Sequence, residues 1–85
     1  MNNKVMLTRA LDSHPKGMLK SEVDEVFIKA GWSSYDAKSA AYRVIQCLIS
    51  EGVATYDWRK GMLMPTGKGL VMTEIMDGKE VKVVY

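Results

Sequence analysis

The side chains with the most to offer chemically are cations on one face of a helical segment. Within residues 34–51, Lys38 and Arg43 share a side with Tyr35, Ser39, Tyr42 and Gln46, while Asp36 sits off to one edge. Arginine can grip a guanine edge through two parallel hydrogen bonds, and lysine reaches phosphates or base edges. The face is rich in short donors and aromatic groups and poor in acids, which suits contact with nucleic acid. A solvated helix face with nothing attached is the plainer alternative. Ser33 and Ser34 open the same segment. A hydroxyl beside free backbone N–H groups can hold a phosphate, and simple capping accounts for at least one of the two. Trp58, Arg59 and Lys60 join an aromatic ring to two cations in a turn. That set suits a phosphate backbone or minor groove. An ordinary charged turn with Trp58 folded onto the core fits the same residues equally well.

Other chemistries lack their parts. A lone His14 and a lone Cys47 make no metal set. Cys47 reads as a small buried hydrophobe, His14 beside Pro15 as a surface residue, and Trp32 as a core or staple residue. No nucleophile has a base at recognisable spacing, and Gly67-Lys68-Gly69 lacks the preceding spacing of a phosphate loop. The expectation is a binding protein without enzymatic activity, cofactor or metal. Glu22, Asp24 and Glu25 open the preceding helix. The helix dipole favours acids there, yet they would repel a duplex if they faced it.

These side chains must be held by a small scaffold. The 85 residues allow one domain, 1–85, with a modest core. The chain is 47% hydrophobic and 26% charged, a globular composition, and its net charge of +2 permits nucleic acid without requiring it. No apolar run approaches the roughly 18 residues that cross a bilayer, and Met1-Asn2-Asn3-Lys4 does not open like a signal peptide. One cysteine excludes an internal disulfide and fits a reducing compartment. The expected location is a cytoplasm, bacterial or phage-infected. The seven methionines read as pliable core filler.

Residues 3–12 predict a first helix capped by Asn3, with Val5, Leu7, Ala10 and Leu11 inward, ended by Ser13-His14-Pro15. Met18-Leu19-Lys20 is long enough to pair with a hairpin. Ser21 caps a second helix with Asp24 at the capping-box position, Val23, Val26, Phe27 and Ala30 inward, and Gly31 as its stop. A third helix buries Ala37, Ala41, Val44 and Leu48, a stripe widened by Ala40 and Ile45, and ends at Gly52. Residues 53–57 and 62–64 are strands of a hairpin turned at 58–61, with Gly61 free to take positive φ. Thr66 caps a fourth helix through about Met76, stopped by Asp77-Gly78. Residues 79–85 form a last edge strand or a tail.

The order α-β-α-α-β-β-α, with a possible C-terminal strand, resembles the winged helix-turn-helix domain of bacterial and phage regulators. It is mainly α with a small β-hairpin, an α+β class. Residues 47–53 look like a recognition helix running into the first wing strand. Residues 62–69 are similar to the leucine-threonine-x-x-glycine segment that follows the wing in such regulators: Thr66 and Gly69 match, and Met64-Pro65 replaces the leucine.

The resemblance implies a sequence-specific, double-stranded-DNA-binding transcription regulator. Helix 34–51 would enter the major groove and wing 57–61 would lie along the backbone. The DNA-contacting residues would be Ser33, Ser34, Tyr35, Lys38, Ser39, Tyr42, Arg43, Trp58, Arg59 and Lys60. A homodimer is expected, through the first helix, the fourth helix or the Val81-Val83-Tyr85 edge. The alternative is a winged-helix adaptor or inhibitor that binds protein instead, favoured by the modest charge, the acidic second helix and the exposed tyrosines.

Overall fold

In a computed structural model of the protein, which describes residues 2–85, Asn2 caps the first helix, α1 (Asn3–Asp12). Its side chain accepts from Lys4 N at 2.8 Å, one residue earlier than expected. Val5, Leu7 and Leu11 face inward. The helix closes at Ser13 and His14, whose backbone N–H groups reach back to Arg9, Ala10 and Leu11. His14 is half-buried and its Nδ1 lies 2.7 Å from Ala10 O, so it also satisfies a helix-end carbonyl.

β1 (Met18–Leu19) runs directly into α2 (Lys20–Lys29). The cap is Leu19 rather than Ser21. Leucine offers no side-chain acceptor, and Glu22 supplies the capping contact, its Oε1 accepting from Leu19 N at 2.8 Å. Gly31 N–H donates to Ile28 O and Trp32 N–H to Phe27 O, the paired bonds of a Schellman ending. That ending requires a left-handed residue, and Gly31 supplies it at φ +110°. Ser33 then opens α3 (Ser34–Ser50), whose buried stripe is Ala37, Ala41, Val44, Ile45 and Leu48. A second Schellman pair, Gly52 N–H to Ile49 O and Val53 N–H to Leu48 O, closes α3 and turns the chain into the sheet.

β2 (Ala54–Asp57) and β3 (Met62–Pro65) form an antiparallel hairpin, and β1 adds on the far side of β3, giving the order β1-β3-β2. Leu63, opposite both Met18 and Tyr56, is fully buried, which ties this sheet to the helices. Phe27, Leu7, Leu11, Met18, Leu48 and Leu70 complete the centre of the core.

The expected fourth helix over 66–76 is absent. Residues 66–70 are loop, and β4 (Val71–Met76) pairs with β5 (Lys79–Val84) as a separate two-stranded sheet. Two causes act together. Thr66 Oγ1 lies 2.6 Å from Gly52 O and 3.0 Å from Val53 O, so its hydroxyl ties down the end of α3 instead of capping a new helix. Asp77-Gly78, at φ +51° and +75°, is a two-residue hairpin turn rather than a helix stop. The element order of the described residues is therefore α-β-α-α-β-β-β-β, an α+β arrangement of three helices and five strands in two antiparallel sheets. Residues 79–84 are strand and not a loose tail. No helix among the described residues is long and apolar enough to cross a membrane.

Candidate nucleic-acid interface

The site is built by burying one side of α3 and leaving the other free. Because Ala37, Ala41, Val44, Ile45 and Leu48 pack inward, the helical period turns Tyr35, Lys38, Ser39, Tyr42, Arg43 and Gln46 outward, and all six are exposed. Tyr35 is 85% and Tyr42 59% accessible. The alanines let α3 sit close to its neighbours, which holds the outer face on a rigid support. Ser33 Oγ accepts from Asp36 N at 3.1 Å, so its hydroxyl is already engaged as the cap. Ser34 is exposed in the first turn, beside backbone N–H groups that an α-helix leaves unpaired.

Lys20, at the start of α2, joins this face. Its Nζ pairs with Asp24 and lies 3.5 Å from Lys38 O. Lys20, Lys38, Ser39, Tyr42 and Arg43 together line one surface depression. The ion pairs among the described residues are Lys4–Glu51 and Lys20–Asp24. Lys38, Arg43, Arg59 and Lys60 therefore carry charge that no acid of the described chain neutralises at contact distance.

The acids of α2 are mostly committed. Glu22 caps the helix and Asp24 pairs with Lys20. Glu25 alone of the three is exposed without such a role. The depression that gathers Lys38 and Arg43 includes no acid in its lining.

The β2–β3 turn stands beside this face. Asp57 Oδ1 accepts from Arg59 N at 3.0 Å and from Lys60 N at 3.3 Å, which folds the turn over an acid and leaves both cationic side chains in solvent. Trp58 is 86% accessible, so it is not folded onto the core. It instead meets Tyr56, with ring centroids 4.6 Å apart and planes tilted by 59°. A crevice of about 140 Å³ between α3 and the hairpin is lined by Tyr42, Ile45, Gln46, Ile49, Tyr56 and Trp58, together with Lys20. The crevice joins the two halves of the site, so helix and turn present one surface.

The structure thus brings the α3 residues together with Trp58, and Arg59 and Lys60 follow Trp58 at the hairpin tip. Sequence reasoning missed Lys20 and Tyr56. A strand end at Lys20 hides it, whereas the helix start found there sets it next to Asp24 at i+4 spacing. Cys47 is exposed, contrary to expectation, because α3 turns it to the Gln46 and Ser50 side. Trp32 is 39% accessible, so it is not a core residue; its ring is tilted by 56° to that of Phe27 with centroids 6.3 Å apart, the apolar contact that accompanies the α2 ending. No three potential metal-ligating side chains gather among the described residues. Compared with protein-family models, curated proteins and solved structures, the chain matches none.

Proposed function

We propose that the chain is a winged helix-turn-helix protein that binds double-stranded DNA as a regulator. In this reading α3 is the recognition helix and the β2–β3 hairpin is the wing. The order of three helices, the three-stranded sheet β1-β3-β2 and the short turn between α2 and α3 support it. The observation that carries the reading is one exposed surface bearing Lys38 and Arg43 on a rigid helix and Arg59 and Lys60 on an adjoining turn, none of them paired with an acid of the described chain. Arg43, exposed on α3, suits a guanine edge in the major groove, while Arg59 and Lys60 suit the neighbouring phosphates. Ser34 and the first turn of α3 add a phosphate contact. Trp58 and Tyr56 offer flat apolar surface against sugars at the groove edge.

Fluorescence anisotropy with a labelled random-sequence duplex at two salt concentrations tests the proposal. Binding that weakens steeply with salt supports it. No binding at low salt removes it.

One observation favours a second reading. Tyr35, Tyr42 and Trp58 are all highly accessible on the same surface, and aromatic residues of this kind anchor protein interfaces. An adaptor or inhibitor that uses this face for a protein partner would retain that partner after nuclease treatment and would not bind duplex DNA.

A further inference from the structure

The β4–β5 hairpin is poorly supported by its own chain. Among the described residues it forms a two-stranded sheet with no third strand, and such hairpins are marginal alone in water. Ile75 is 72%, Val84 66% and Met76 50% accessible. The radius of gyration, 13.3 Å, exceeds the about 12 Å expected of a compact chain of this length, as a projecting arm requires. Its base is tied down, with Met72 packed on the core and the Arg9 guanidinium 5.7 Å from the Tyr85 ring centroid. There Leu70 is buried, Tyr85 exchanges both backbone hydrogen bonds with Leu70, and Tyr85 Oη donates to Glu74 Oε1 at 2.5 Å.

The Leu70–Tyr85 exchange fixes which backbone groups point where. Hydrogen-bonded and non-hydrogen-bonded pairs alternate along an antiparallel ladder. Counting from that pair through the register, Lys79, Val81 and Val83 bond to β4. Glu80, Lys82 and Val84 therefore turn their N–H and C=O groups to the open edge. An exposed edge of this kind is a template for another strand.

We propose that β5 pairs antiparallel with β5 of a second copy of this chain, about a two-fold axis at Val81, to give a four-stranded sheet β4-β5-β5-β4. The charges select this register. Centring on Lys82 sets lysine against lysine, and centring on Glu80 sets glutamate against glutamate. Centring on Val81 sets Glu80 of each copy opposite Lys82 of the other, both at positions whose backbone groups face outward. Val81, 38% accessible, then meets its own counterpart in the closer, non-hydrogen-bonded pairing. The β4 edge has no comparable selector. Its outward residues Val71, Thr73 and Ile75 are uncharged, and pairing about Thr73 would set Met72 against a Glu74 already engaged with Tyr85.

Sedimentation velocity on the full chain, without DNA, tests the pairing independently of the DNA-binding reading. The chain is expected to dimerise reversibly. Lys82→Pro removes an outward N–H that β4 does not use, and is expected to abolish the dimer. Glu80→Lys and Lys82→Glu are each expected to weaken it about tenfold, and the double variant to recover it to within about threefold, from the size of cross-strand charge pairs. The recovery reads the contact even if Lys82→Pro disturbs the hairpin. A chain that stays monomeric at every soluble concentration overturns the proposal. So does a dimer indifferent to these variants, which would place the interface on the β4 edge or elsewhere.

Discussion

Replacing Arg59 and Lys60 together by alanine separates the contributions of helix and hairpin to the proposed DNA binding. Among the described residues neither side chain makes a hydrogen bond or ion pair, and the Asp57 contacts that shape the turn go to backbone N–H groups. The double variant should therefore keep the fold, with stability changed by no more than about 0.5 kcal/mol. Four unpaired cations lie on the proposed surface: Lys38, Arg43, Arg59 and Lys60. If all four neutralise phosphates, the slope of log K against log salt is about −3.6, and a fourfold rise in salt weakens binding about 150-fold. Removing two cations lowers the slope to about −1.8 and the loss to about 12-fold. Base contacts by Arg43 would lower both slopes together without closing the gap. Anisotropy titrations on a random duplex across a salt series measure both numbers. An unchanged slope in the double variant would mean that the hairpin lies off the DNA, and the proposed surface would be wrong.

Four further outcomes follow from the same contacts. Arg43→Ala, exposed and unpaired, should leave the melting temperature unchanged yet flatten preference among duplex sequences, by about 1–3 kcal/mol at the position it reads; competition against a randomised duplex pool would detect this. Leu63→Ala, at the fully buried junction of β1, β2 and β3, should cost about 2–5 kcal/mol in urea unfolding. Thr66→Val should cost about 1 kcal/mol by removing the hydroxyl between Gly52 O and Val53 O, again read from urea midpoints. The Tyr85 phenol is held above its ordinary value of 10.0 chiefly by its hydrogen bond to Glu74. A raised folded-state pKa gives a contribution that is complete below pH 10 and fades as pH climbs through the folded value. Unfolding compared with Tyr85→Phe should show a constant difference at lower pH that shrinks in the alkaline range; a difference that grows there would reverse the sign of the linkage.

Much of the helical scaffold is legible in the residues. The Ala37-Ala41-Val44-Leu48 stripe fixes both the buried and the open side of α3, so the candidate surface can be read before any coordinates. The hairpin at 58–61 is equally plain from two short apolar runs around a polar turn. Residues 66–76 mislead because two local signals have double meanings. Thr66 followed by small residues reads as a helix cap, yet its hydroxyl is drawn to carbonyls fourteen and thirteen residues earlier. Asp77-Gly78 stops helices and also turns hairpins. The β-branched alternation of Val81-Lys82-Val83 points to the second meaning, but only once 71–76 is considered as its partner strand. The start of α2 misleads for a simpler reason: Glu22 caps from within the helix, so no serine or aspartate marks the boundary. Trp58 stays open from sequence because its exposure depends on Tyr56 across the turn, a contact that spacing does not determine.

Amide chemical shifts of the isotopically labelled chain, followed while an unlabelled random duplex is added at low salt, test the central claim most directly. Shifts should cluster at 33–46 and 57–61, with the α1 and β4–β5 amides little changed. Shifts confined to other surfaces, or none at concentrations where the duplex is in excess, would contradict it.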